Sequence, residues 1–431
     1  MKRKLFVLAL LIGVCVSIVE AQDQPKFKKF FEDKTLRMDY YREGCRVSDS
    51  VILHRFVEKQ SVWAGSQSVL VDPFDNGDYR VVVRDSASDK IIYSRGYNTL
   101  FREYRDTRAG ADSVARFEEV VLMPWPKKTV KICLEKRDDR MKMQGQAEFY
   151  FNPSQKCEVV EQAQILPPLK AWYNGDCHRK MDVVIVPEGY GPGDVGKLHG
   201  DLSRFASYLL AQEPFKGRKD DFNVWYVDCM GTESGITNPG KNLKVNSAVG
   251  ATYYTFGSDR YLMTFELFKL HDVLDKVPYD HIIIMANSDT YGGGAIYNFY
   301  AVSAVQEMSM YILPHELGHS IGGLADEYVD EQLSYGDMHK AEVEPVEPNI
   351  TNLVDFQSKW ADMLPEGTPV PTPENKSVPR MKNGPLGVYE GAGYKPKGIY
   401  RPVMHCMMRD YAPFCPVCSR RLNEIFDIYC R

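Results

Sequence analysis

The chain has 431 residues, enough for two or three domains with ordinary cores. Its 44% hydrophobic and 26% charged content is that of a globular protein. A formal net charge of −5 over this length gives no basic field for phosphate backbones, which argues against a nucleic-acid partner.

The opening MKRKLFVLALLIGVCVSIVEAQ carries three cations, an apolar run from Leu5 to Val19 and a small-residue site before Gln22. It reads as a secretory signal peptide, residues 1–21, and predicts a protein that is secreted, periplasmic or held at the cell surface. The same run is long enough to serve instead as an uncleaved anchor. No transmembrane span is expected in the mature chain. Nine cysteines follow the signal, so disulfides are open to an exported protein, but at least one thiol stays unpaired within the monomer.

From residue 22 to 165 short β-rich runs alternate with turns, as in YRVVVRD (79–85), KIIYSRGY (90–97), FEEVVLM (117–123), TVKICLEK (129–136) and AEFYFNP (147–153). Valine, isoleucine, tyrosine and phenylalanine at these positions fit a pleated, half-buried surface, and an all-β antiparallel sandwich is predicted. Its role is silent in the sequence.

The prolines of QILPPLKAWYNGD (164–176) mark a boundary, and a second domain is assigned to 166–431. MDVVIVPEGY (181–190), DFNVWYVDCM (221–230) and HIIIMANS (281–288) are apolar enough for buried strands. VGKLHGDLSRFASYLLAQEPF (195–215) has the spacing of an amphipathic helix, giving an α/β layer pattern. NSDTYGGGAIYN (287–298) suits either an edge strand that pairs with an extended peptide or an ordinary glycine-rich loop. Between 341 and 400 the chain is rich in proline and glycine, with a short helix predicted at NLVDFQSKWADML (352–364).

YILPHELGHSIGGLADEY (311–328) carries the chemistry. On a helix, residues four apart share a face, so His315 and His319 can each place an imidazole nitrogen on one zinc ion. Glu316, rotated by about 100° from His315, falls beside the metal, where a carboxylate can act as general base. Pro314 requires a late helix start, near Met308–Met310. The pattern alone is short enough to arise by chance on a solvated or core face.

A third ligand is needed. In metzincin zinc peptidases a glycine ends the helix and a ligand follows the turn. Gly323-Leu324-Ala325-Asp326 resembles that arrangement with one extra residue, since the usual position would be Ala325. Asp326 is therefore the expected ligand, with Glu327 as the alternative. RPVMHCMMRDYAPFCPVC (401–418) resembles the methionine turn of the same group, with Met407 as floor and Met404 and Met408 as lesser candidates. Tyr411 is a candidate hydrogen-bond donor to a developing oxyanion. His405 is expected to support rather than ligate. Cys415 and Cys418 form a lone Cys-x-x-Cys, open to a disulfide, packed thiols, redox use or a second metal if Cys406, Cys430 or a histidine joins.

With these stretches and GTESGITNP (231–239) and GVYEGAGYKPKGIYRPVMHCMM (387–408), the chain resembles the bacterial IgA-peptidase-type zinc metallopeptidases. The resemblance implies an N-terminal Ig-like β-sandwich, a metzincin-like α/β (α+β) catalytic domain, one Zn2+ per site and endopeptidase activity. Its substrate would be a protein or peptide, with host glycoproteins and immunoglobulin among the candidates. Two other readings stay open: a non-catalytic adhesion or glycan-binding protein on this fold, against which an intact Glu316 argues, and a zinc amidase acting on cell-wall peptides.

Overall fold

The computed structural model describes residues 24–161, 165–330 and 339–430, so the signal-peptide assignment at 1–21 lies outside the described residues. The N-terminal part forms two antiparallel sheets. Strands β1 (Phe31–Gly44), β2 (Asp49–Glu58) and β5 (Ala115–Pro126) make one, in the order β2-β1-β5. Strands β3 (Tyr79–Asp85), β4 (Ile91–Tyr97), β6 (Val130–Arg137) and β7 (Met143–Phe151) make the other, in the order β4-β3-β6-β7. Alternate residues turn inward: Leu36, Met38 and Tyr40 from β1 meet Val81 and Val83 from β3 and Ile132 and Leu134 from β6 in one core. This is a two-layer β domain.

The second part is built on a six-stranded sheet. It contains β8 (Leu169–Trp172), β9 (Met181–Glu188), β10 (Phe222–Tyr226), β13 (His281–Ala286), β14 (Gly293–Ile296) and β15 (Tyr300–Ala304), while the short β11 (Ala251–Thr252) and β12 (Met263–Thr264) pair separately. The order is β14-β15-β13-β9-β10-β8. The four inner strands run parallel, while β14 and β8 are antiparallel edges.

The inner strands read as unbroken apolar runs because both faces are covered. Val183, Ile185, Ile283 and Met285 pack beneath three helices, Val195–Leu209, Ser309–Ser320 and Pro416–Tyr429. Val184, Val186, Ile282 and Ile284 face the helix Leu267–Val273 and Phe101, Phe117 and Val120 of the β domain. The two parts therefore share a core. They also share buried charge: Asp272 accepts from Arg37 and Arg55, and both guanidiniums reach Asp39.

Two local expectations change and one open choice narrows. The helix over Ser309–Ser320 begins where expected, yet Pro314 is its sixth residue, beyond the amides that lack intrahelical acceptors. The carbonyl that Pro314 cannot bond belongs to Met310, an exposed residue of the first turn. The predicted helix at 352–364 is only two 3-10 turns, Phe356–Ser358 and Ala361–Met363. Fully buried Trp360 between them donates to the Gly387 carbonyl at 2.8 Å, so a tertiary contact fixes this segment. Finally, all nine described cysteines are free thiols.

Candidate metal centre

The helix Ser309–Ser320 lies against β14 and β15, the edge of the large sheet, with Leu313 and Leu317 in the core. His315 and His319 consequently point to the other side, into a cleft of about 540 Å3. The helix ends in a reversal at Gly323, whose φ of +59° is the left-handed region. There the Gly323 amide bonds the His319 carbonyl at 3.0 Å and the Leu324 amide bonds that of Gly318 at 3.1 Å. The reversal returns Asp326 to the histidines.

The geometry is close. Asp326 Oδ1 lies 3.1 Å from His315 Nε2 and 3.3 Å from His319 Nε2, and the two Nε2 atoms are 3.2 Å apart. Donors held about 2.0 Å from one tetrahedral ion would be separated by about 3.3 Å. Each histidine also directs Nδ1 to a backbone carbonyl, His315 to Met407 at 2.8 Å and His319 to Leu324 at 2.6 Å. A carbonyl only accepts, so Nδ1 carries the hydrogen and Nε2 turns its lone pair to the shared point. Among the described residues, buried Asp326 Oδ1 has no well-oriented hydrogen bond, although two nitrogens stand near it. The donor set fits a divalent cation.

The same proximity shows in the charges of the three groups. Burial pulls the His319 pKa down, but the charge and hydrogen bond of Asp326 outweigh it and push it up to about 9. Burial acts to raise Asp326, yet the two imidazoles hold it well below the usual carboxylate range. Glu316 lines the same cleft; burial raises its pKa against the pull of His315 and His319.

The remaining sequence candidates are sorted by position. Glu327 does not join the histidines. Its buried carboxylate points the opposite way, accepting from Asn349 at 2.9 Å and from the Cys418 thiol at 3.4 Å, and burial pushes its pKa well above the ordinary range. Met407 supplies a carbonyl to His315, while the thioether of Met408 packs against Gly318 between the two histidines, so both methionines lie against this helix. Tyr411 lines the cleft and its hydroxyl bonds that of Tyr291. His405 faces Asp410 and the Val378 carbonyl, away from the cluster.

Sequence reasoning missed three contributors. Tyr394, at the tip of the hairpin β16 (Tyr389–Ala392) and β17 (Lys395–Arg401), donates to Asp326 Oδ2. Asn349 clamps the ligand loop, accepting from the Ala325 amide at 2.8 Å and donating to its carbonyl at 2.9 Å. The β domain forms one wall of the cleft, including Asn76, Thr99 and Glu103. Burial lifts the Glu103 carboxyl to about 7 despite a hydrogen bond from Tyr261 at 2.7 Å. The glycine-flanked Tyr394 in GAGYKPKG was the one available signal.

Gly323 gives a direct test of the reversal. A Cβ there would stand 2.9 Å from Asn76 Nδ2 and 3.1 Å from the Tyr297 ring, on top of the unfavourable φ. Gly323→Ala is expected to lower stability by about 1–3 kcal/mol in urea denaturation and to reduce metal affinity. An unchanged midpoint would show that the turn relaxes freely.

Comparison with known families bears on all of this. No curated protein matches the chain. Residues 26–148 match the profile described as Peptidase M64 N-terminus. Residues 171–384 and 379–426, which hold the histidines, Asp326 and Met407, match the profile of IgA Peptidase M64. The β domain and the cleft-bearing domain thus correspond to the two parts of one family, and the chain belongs to the M64 peptidases.

Proposed function

We propose that the chain is an exported, zinc-dependent endopeptidase acting on protein or peptide substrates. The observation that carries this reading is the convergence of three lone-pair donors with Glu316 beside them in an open cleft. His315, His319 and Asp326 would hold one zinc ion, which when bound supplies Lewis acidity toward water and the scissile carbonyl. Glu316 takes the proton of the attacking water and delivers it to the leaving nitrogen. The Tyr411 hydroxyl donates to the oxygen that gains negative charge.

An extended substrate would add to the edge strand Gly293–Ile296, which borders the cleft. Gly293 already exchanges backbone bonds with Arg260 and Leu262, so pairing would use the strand from Gly294 onward. The two antiparallel sheets with a common core support an Ig-like reading of the N-terminal domain. The helix, glycine reversal, aspartate and methionine floor support a metzincin-like reading of the second. Export rests on the N-terminal segment alone. Among the described residues no helix is long and apolar enough to cross a membrane.

The test is hydrolysis of an unstructured protein by the purified chain. Chelation should abolish cleavage and added zinc should restore it. Cleavage that persists through exhaustive chelation, with zinc content measured at zero, would refute the reading. Profiling on a mixed peptide library then separates a general endopeptidase from an amidase for cell-wall peptides.

A further inference from the structure

A second convergence of donors lies behind the first. Cys406, Cys415, Cys418 and Glu327 are all buried, and one potential ligand atom from each falls within 4.8 Å of the other three. Cys406 Sγ and Cys418 Sγ are 3.8 Å apart, and Cys418 Sγ is 3.4 Å from Glu327 Oε1. Two sulfurs about 2.3 Å from one tetrahedral zinc would be separated by about 3.8 Å, and a sulfur and a carboxylate oxygen by about 3.5 Å. Both measured spacings are close to those expected around one such ion.

Backbone amides reach two of the sulfurs. Cys415 caps the helix Pro416–Tyr429, with Pro416 in its first turn. The Cys415 amide donates to Cys406 Sγ at 3.4 Å and the Cys418 amide to Cys415 Sγ at 3.5 Å, the contacts that support thiolate ligands. Asn349 fixes one oxygen of Glu327 at 2.9 Å, while the other, Oε2, is buried with no hydrogen-bond partner among the described residues. A disulfide would consume two of the thiols and still leave that oxygen unpaired. Three thiolates and a carboxylate around a divalent cation would carry two net negative charges. Arg409 donates to the Glu327 carbonyl at 2.7 Å, and buried Arg401 also acts on the Glu327 charge.

We propose that Cys406, Cys415, Cys418 and Glu327 bind a second, structural zinc ion. Its consequence follows from chain connectivity. Glu327 directly succeeds Asp326, and Cys406 directly precedes Met407, whose carbonyl orients His315. The Glu327 amide also bonds the Met408 carbonyl at 2.7 Å. The second ion would fasten the loop bearing one donor of the first centre to the turn beneath another. The fourth ligand comes from a residue 79 positions before the first cysteine, so Cys-x-x-Cys spacing alone could not identify it.

The experiment is metal analysis of the full-length chain beside two double variants, His315→Ala/His319→Ala and Cys415→Ser/Cys418→Ser. Two zinc ions are expected in the parent and one in each variant. Should the cysteine variant fail to fold, the histidine variant prepared with cobalt decides, since thiolate ligation gives an intense near-ultraviolet charge-transfer band. A histidine variant that retains no metal and shows no such band would overturn the proposal. So would a disulfide among the three cysteines in unreduced, denatured protein. Because this variant lacks the first centre, its result stands whether or not that centre is catalytic.

Discussion

Glu316→Gln is expected to slow peptide hydrolysis by about 10²–10⁴-fold while leaving the zinc content unchanged. The substitution keeps the shape of the side chain and removes its ability to accept a proton. Its position makes the effect specific. Glu316 Oε1 lies 3.0 Å from where a Cβ on Gly293 would stand, so the carboxylate faces the edge strand along which a peptide would run. Burial raises the Glu316 pKa and so strengthens the carboxylate as a base, whereas the neighbouring histidines favour its charged form. A parent-like rate in this variant would refute the assigned role and direct attention across the cleft to Glu103, whose carboxyl is poised at about 7. Steady-state rates and zinc analysis on the same preparation separate loss of the base from loss of the metal.

Much of this centre was legible because its parts are local. His315, Glu316 and His319 lie within five residues of one helix, where spacing fixes relative direction. The reversal at Gly323 was legible for the same reason, since φ of +59° favours glycine and the chain must turn there. What spacing could not resolve was the choice between Asp326 and Glu327. Adjacent carboxylates in an irregular loop point to opposite sides only because Asn349, Tyr394 and Cys418 hold them there. Those partners come from distant segments, and no periodicity connects them.

The fold divides in the same manner. Buried parallel strands announce themselves as apolar runs, and β9 and β13 were legible as such. The segment 352–364 has an apolar pattern compatible with a helix, but burial of Trp360 and its bond to Gly387 impose short turns instead. The N-terminal domain gave no functional sign because its contribution is a wall. Asn76, Thr99 and Glu103 acquire meaning only when the two domains close around one cleft.

Asp326→Ala is expected to weaken zinc binding by more than about 100-fold and to remove activity wherever zinc is limiting. The scale comes from comparison with an outer partner. Tyr394 donates to Asp326 Oδ2, and disturbing such a partner lowers metal affinity about 10–100-fold, which is the loss expected of Tyr394→Phe. Deleting the ligand itself must exceed that. It removes the one anionic donor among three and leaves two imidazole nitrogens, the Nε2 atoms 3.2 Å apart, to hold a dication. Glu327 cannot step in, because moving its carboxylate to the histidines would break its bonds to Asn349 and Cys418 and pull its own amide away from the Met408 carbonyl. Zinc titrations against a competing chelator, run on the parent and both variants, read the order directly. Equal affinity in Asp326→Ala and the parent would mean that the third donor comes from elsewhere, and the arrangement of His315, His319 and Asp326 would then need an explanation other than a metal.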